Sequence, residues 1–274
     1  MKIMIACDME GLPGVVSWSH VSSDNPEYGR FRKIMTDSVN AAVRGTFDGG
    51  ANEVLIADGH GYQRNILIDE LEPRAHFSIG YDYPYMMVKG IDTGIDAVMY
   101  LGYHARAGTM NATLSHTWSS SIVANVWING LLIGEIGLNA AVCGHFGAPV
   151  ILISGDQSAC AEAVDLLGPV ETAVVKRAFS HGGAECLPLN EAYQLISAAA
   201  QRAVTRFKNG TAAKPFQPAC PITLTVELSG VDRADGAQIM PGIKRLDGRR
   251  VEYIADDPIL AYRAFQTIVS LGRT

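Results

Sequence analysis

An apolar run without a polar break, residues 3–7, ends abruptly in two carboxylates, Asp8 and Glu10, followed by a loop containing Gly11, Pro13 and Gly14. Such a run is what a strand buried on both faces requires. Open α/β sheets build their sites where strands of this kind end. Asp8 and Glu10 are two residues apart, so on a continued strand they share a face. Two close carboxylates repel unless one takes a proton or a cation sits between them. The plainer alternative is a loop-starting Asp beside a solvated Glu, and the pair alone does not decide between the two.

The same grammar recurs downstream. Residues 28–50 carry Phe31, Ile34, Met35, Val39, Val43 and Phe47 at helical spacing, with Gly49-Gly50 as the stop. Residues 53–57 form a short strand that runs into Asp58-Gly59-His60. A right-handed crossover places this strand end on the same sheet edge as Asp8. Residues 66–71 suggest a short helix and 75–79 a short strand. Residues 95–101 are a firmer strand, feeding Gly102-Tyr103-His104-Ala105-Arg106. Residues 123–128 and 131–135 flank Asn129-Gly130, a strong hairpin signal. A helix over 137–146, a buried strand over 149–154, a helix over 158–167 and a strand over 170–175 follow.

The first 180 residues or so thus alternate strand and helix, the pattern of a three-layer α/β/α domain with a mostly parallel sheet. Beyond them the pattern changes. An amphipathic helix over 190–207, a half-exposed strand over 222–228, a hairpin around Asp247-Gly248 and a last helix after Asp257-Pro258 predict a smaller C-terminal α+β subdomain. The expected division is a catalytic α/β domain at residues 1–184 and the subdomain at 185–274.

Composition removes several function classes. The chain has 274 residues, 48% hydrophobic and 18% charged, enough for a substantial core. A net charge of −6 without a basic stripe argues against nucleic acid as a partner. No stretch approaches a membrane span, and the N-terminal apolar run reaches Asp8 too soon for a secretory signal. The five cysteines are scattered, with no C-x-x-C pair, which fits reduced thiols and a cytoplasmic location better than disulfides or a thiolate metal site.

Three strand ends therefore offer Asp8, His60 and His104 on one edge. An Asp/Glu/His set of this kind suits Zn²⁺ or Mn²⁺. With Glu10 in the first loop, one carboxylate can bridge two metals, and a metal pair can activate water and polarise a carbonyl or phosphoryl group. A lone His more often serves packing than ligation, and that reading applies to His20, His76, His145 and His181, which no strand end supports. His116 is a candidate proton shuttle by spacing alone. Asp58 and Asp156 are candidates for orienting ligand imidazoles, or simply turn-starting acids. Glu135 reads only as an acid near a hairpin end. The residues by themselves indicate a metal-dependent hydrolase and leave the bond cleaved open.

Five motifs in order narrow this: Asp8-Met9-Glu10-Gly11, Asp58-Gly59-His60, Leu101-Gly102-Tyr103-His104-Ala105-Arg106, Leu114-Ser115-His116 and Gly134-Glu135-Ile136-Gly137-Leu138-Asn139-Ala140. Together they resemble the D-aminopeptidase family of binuclear zinc peptidases, of the dipeptide-operon type. The resemblance runs from the first residue to about Gly155 and is thinner beyond. It implies two zinc ions per subunit, held by Asp8, Glu10, His60, His104 and Glu135, with Asp8 bridging. It implies His116 as the catalytic histidine. It also implies release of N-terminal D-residues, D-Ala-like, from short peptides or amides with a free N-terminus, by a homodecamer. Thr117-Trp118 after the histidine departs from the family's flanks, and a Trp there reshapes the expected pocket. Two other readings compete. One is another dinuclear hydrolase, an amidohydrolase or a phosphoesterase, for which Arg106 is the only obvious phosphate-binding cation in a ligand loop. The other is an assembly protein held together by structural metal, which the Cys-free, carboxylate-rich set disfavours.

Overall fold

Strand β1 (Lys2–Cys7) sits at the middle of the molecule because nothing in it wants water: residues 3 to 7 are fully buried. Its side chains alternate between two cores. Ile3, Ile5 and Cys7 face one, and Met4 and Ala6 the other, as a period of two demands. The computed structural model of the chain describes residues 1–81 and 84–273.

After β1 come α1 (Trp18–Val21), α2 (Tyr28–Asp48), β2 (Glu53–Asp58), β3 (His76–Ser78) and β4 (Ala97–Leu101). The middle of the chain holds β5 (Val123–Ile128), β6 (Leu131–Ile133), α3 (Glu135–His145), β7 (Val150–Asp156), α4 (Gln157–Leu167), β8 (Glu171–Ser180) and β9 (Gly183–Cys186). The rest is α5 (Leu189–Lys208), β10 (Ile222–Leu228), α6 (Val231–Ala237), β11 (Lys244–Arg245), β12 (Arg250–Ala255) and α7 (Pro258–Leu271). One sheet runs β3-β2-β1-β4-β7-β8-β9, parallel except for β9. The other runs β11-β12-β10-β5-β6 and is antiparallel.

Helices α2 and α5 pack on each other and cover one face of the large sheet. Helices α3 and α7 and the inner face of the small sheet lie over the other. The result is the expected three-layer α/β/α architecture with a smaller α/β unit. The small sheet draws strands from both sides of residue 184, since β5 pairs with β10. Among the described residues no helix is long and apolar enough to cross a membrane.

Element ends depart from expectation where side chains find unusual partners. Strand β8 continues past residue 175 because Lys176, which reads as a terminus, is buried and bonded to carbonyls. The hairpin ends at Ile133, and α3 starts at Glu135 instead of 137. Gly134 makes that junction possible: a Cβ there would lie 2.5 Å from the Cβ of Arg106. Strand β9 and helix α6 go beyond what the sequence pattern predicts, since neither segment has a clear apolar period.

Two glycines let the loop after β1 press on the loop after β4. A Cβ on Gly11 would lie 2.0 Å from the carbonyl oxygen of Tyr103, and one on Gly102 would lie 2.3 Å from that of Asp8. Gly102 also has φ of 72°, a conformation that costs other residues. Gly11→Ala should therefore lower the unfolding free energy by about 1–3 kcal/mol, read as a lower urea midpoint. An unchanged midpoint would mean that the two loops separate freely.

Candidate metal centre

Strands β2, β1 and β4 are adjacent and parallel, with Cys7 opposite both Asp58 and Leu101. Their carboxyl ends therefore open on one edge. Backbone bonds continue past the sheet: Asp8 N–H to Leu101 O (2.8 Å), Gly59 N–H to Cys7 O (2.8 Å) and Gly11 N–H to Gly102 O (2.7 Å). The three loops leave the sheet already fastened to one another, and Asp8, His60 and His104 come out side by side. Glu135 arrives from elsewhere, as the first residue of α3.

Asp8 stands between two imidazoles. Its Oδ1 lies 3.1 Å from His60 Nδ1, and its Oδ2 lies 3.5 Å from His104 Nε2. Glu10 Oε2 approaches the same His60 nitrogen to 3.2 Å, and Glu135 Oε1 approaches the same His104 nitrogen to 3.1 Å. Yet Glu10 Oε2 and His104 Nε2 are buried without a hydrogen-bond partner. These atoms crowd together but are aimed past one another, which is how donors converging on a shared cation are arranged. Among the described residues, ligand-type atoms within 4.8 Å of one another form two groups able to hold a metal ion, Asp8-Glu10-His104 and His104-His116-Glu135. His60 belongs to neither group, although it touches both carboxylates of the first loop.

Each imidazole is held by its outer nitrogen. His60 Nε2 donates to Val21 O (2.9 Å), His104 Nδ1 to Ala105 O (3.0 Å) and His116 Nδ1 to Leu114 O (2.8 Å). Three backbone carbonyls thus fix three tautomers and turn the remaining nitrogen inward, the arrangement that metal-binding histidines need. His116 stacks on His104 at 3.9 Å between ring centres, with Trp18 against its edge. Its Nε2 is 3.7 Å from Glu135 Oε1. Glu135 Oε1 also accepts the Trp118 N–H at 2.6 Å.

The protonation pattern follows from packing acids with imidazoles. Burial pushes the Asp8 carboxyl up, the Glu10 charge adds to it, and Asp8 stands at about 7. Burial also works against ionised Glu10 and Glu135, but His60 and His104 respectively outweigh it and hold both below the usual carboxylate range. His104 is pushed up to about 10 by Glu135 and Asp8 against its own burial, and His60 rises for the same reason beside Glu10 and Asp8. His116 moves the other way, lowered by burial and then by the charge of His104. Imidazolium groups thus supply the positive charge that the carboxylates require.

The remaining candidates lie outside this cluster. Asp58 and Asp156 do not touch the imidazoles. Asp58 accepts from Asn65 N–H, Asn65 Nδ2 and Ile66 N–H, closing the turn that carries His60. Asp156 caps α4 and clamps Thr113. Arg106 lines a separate groove with Glu162 and Ser158. His20 stacks on Phe31, and His145 lies in the last turn of α3. Trp118 does line the site, in a cavity of about 690 Å³ floored by Asp8, Glu10 and Glu135 and walled by Trp18, Met86, Met87 and Tyr62. Sequence reasoning missed the three orienting carbonyls, for which no residue type is a signal. It also missed Lys176 and Lys89, whose burial is the only mark that sets them apart.

The comparisons with known proteins agree with this geometry. A family model described as D-aminopeptidase matches residues 1–267. A D-aminopeptidase of Bacillus subtilis (strain 168) is 34% identical over 273 residues, covering 99% of this chain and 98% of that protein. The solved structure of the Zn-dependent D-aminopeptidase DppA from Bacillus subtilis, described as a self-compartmentalizing protease, superposes with a TM-score of 0.95 at 33% identity, covering 100% of this chain and 98% of that one.

A cation entering the cluster must displace protons from His60 and His104. Metal affinity should therefore rise with pH toward the value of about 10 at His104, with protons released on binding. Calorimetry in buffers of different ionisation enthalpy measures that release, and zero release would mean that the ligands are already deprotonated.

Proposed function

The chain belongs to the D-aminopeptidase family, and from that premise we propose that it is a zinc-dependent aminopeptidase releasing N-terminal D-residues, D-Ala-like, from short peptides or amides with a free N-terminus. The observation that carries this reading is the Asp8 carboxylate, whose two oxygens face imidazoles from two different loops. Asp8 Oδ1, Glu10 and His60 would hold one zinc, and Asp8 Oδ2, His104 and Glu135 the other. All five donors are hard or borderline, as zinc accepts, and two of their buried atoms have no partner within the protein. Bound there, two zinc ions supply Lewis acidity that polarises a scissile carbonyl and brings the pKa of a water toward neutrality.

The chain's own contribution is orientation and proton handling. His116 lines the cavity, pinned through Nδ1 on Leu114 O. Its lowered pKa keeps Nε2 unprotonated near neutral pH, so that nitrogen takes a proton from the attacking water and returns it to the leaving amine. The stacked His104 ring fixes the plane in which it does so. Trp18, Met87 and Trp118 wall the cavity and exclude bulk water from the acids on its floor. Trp118 is itself braced edge-on by Tyr262 and Phe265 of α7, so the C-terminal elements shape the substrate pocket. The alternative of a phosphoesterase loses its main support, since Arg106 lines another groove. The guanidinium that does reach the cavity, Arg273, comes from an exposed residue just beyond α7.

A homodecamer fits the self-compartmentalizing description of the related structure, and light scattering on the purified protein tests it. The reaction is tested with paired D- and L-alanine p-nitroanilides, before and after chelation and zinc return. D-selective, zinc-restored release is expected. Zinc-dependent release favouring the L-substrate would remove the stereochemical claim, and no release with two ions bound would move the reaction to another bond. His116→Ala should cost turnover about 10²–10⁴-fold and leave metal content unchanged. A variant that loses its zinc would make His116 a ligand instead of the proton carrier.

A further inference from the structure

Two lysines lie fully inside the fold, one beneath each of two ligand loops. Lys176, on β8, points its ammonium into the loop after β1. Its donors go to three backbone carbonyls: Glu10 O (2.6 Å), Leu12 O (3.1 Å) and Val15 O (2.5 Å). Among the described residues no carboxylate is in salt-bridge contact with it. Lys89 enters from the other side, donating to Asp58 O (2.5 Å) and Gln63 Oε1 (2.9 Å). The Gln63 N–H in turn bonds His60 O at 2.8 Å. An ammonium taken out of water is costly, so a chain that buries two of them against loop carbonyls sets those loops rigidly. Hydrophobic side chains of similar volume would fill the same space at less cost.

The carbonyls that the two lysines hold belong to or adjoin the segments that carry Glu10 and His60. Glu10 and His60 lie on the Asp8 Oδ1 side. His104 and Glu135, on the other side, are fixed by the Ala105 carbonyl and the Trp118 N–H. We propose that Lys176 and Lys89 are positioning residues for the ion held by Asp8 Oδ1, Glu10 and His60, and that the ion at Asp8 Oδ2, His104 and Glu135 binds independently of them. This rests on the ligand assignment made under the proposed function. The two ions therefore differ in what their affinity depends on, although they share a carboxylate.

Charge and position predict opposite results when a lysine is removed. Deleting a nearby positive charge makes a cation site more attractive. Releasing the loop that carries two of its ligands makes it weaker, by about 10–100-fold where supporting contacts of metal ligands are lost. The experiment titrates Zn²⁺ into metal-free wild type, Lys176→Met and Lys89→Met by calorimetry against a competing chelator. Metal per chain is counted after dialysis, and the melting temperature of each metal-free protein serves as the folding control. Wild type should bind two ions. Each variant should keep one ion at wild-type affinity and bind the second about 10–100-fold more weakly. Glu10→Gln should reproduce that pattern. Two ions bound by both variants as tightly as by wild type, or more tightly, would overturn the proposal. So would equal weakening of both ions, which is what general loosening of the fold produces. Should Lys176→Met not fold, Lys89→Met makes the same comparison through a different loop. Wild type that binds fewer than two ions would overturn the ligand assignment itself, an outcome distinct from any result in the variants.

Discussion

Three buried carboxylates, Asp8, Glu10 and Glu135, gather around His104, and their repulsion is relieved by the imidazoles among them and by the raised pKa of Asp8. The rest of the molecule is arranged around that requirement. Asp8 cannot retreat from its neighbours, since its own N–H is tied to Leu101 and its loop is pressed against Gly102. Each of its oxygens meets an imidazole, and each imidazole is pinned from behind by a carbonyl. Rigidity behind the acids keeps the candidate donors at a fixed spacing.

The two sheets divide the labour. The parallel sheet delivers Asp8, His60 and His104 from three neighbouring strands, so their spacing follows from strand spacing alone. The antiparallel sheet delivers Glu135 at the β6–α3 junction, and the loop before it delivers His116 and Trp118. Trp118 has φ of 63°, strain of about 1–3 kcal/mol for a bulky residue. It is held there by Tyr262 and Phe265 and by its own N–H bond to Glu135. The cavity wall at Trp118 and the candidate ligand Glu135 are therefore coupled through a single backbone unit. Chain from the far C-terminus must be in place before the pocket is complete.

Much of this was legible in the sequence, for identifiable reasons. The run over residues 3–7 is apolar on both faces, and only a central parallel strand satisfies that. His60 and His104 were found because each follows an apolar strand, a local signal. Helices α2, α5 and α7 announced themselves through apolar spacing and, for α7, through Asp257-Pro258, whose carboxylate does accept the Leu260 N–H. Glu135 was not legible from spacing. Its importance comes from a reversal of chain direction at Gly134, and its recognition depended on resemblance to a family. For Asp58 and Asp156 the sequence leaves two readings open, orienting an imidazole or starting a turn, and the structure has the second, because an Asp next to a Gly or at a helix start has backbone N–H groups closer than any side chain.

By itself, the order of residues determined the layers, the central strand and the edge on which acids and imidazoles gather. Those follow from periodicity and from where apolar runs stop. Only the tertiary structure decided which atoms face which. The pairing of β5 with β10, the approach of Arg106 to Gly134, the Val21 carbonyl behind His60 and the burial of Lys176 under Glu10 all join residues far apart in the chain. Backbone carbonyls are the same at every position in a sequence, and a lysine shows no sign of being buried. Both acquire a role only when the folded chain sets them against a particular partner.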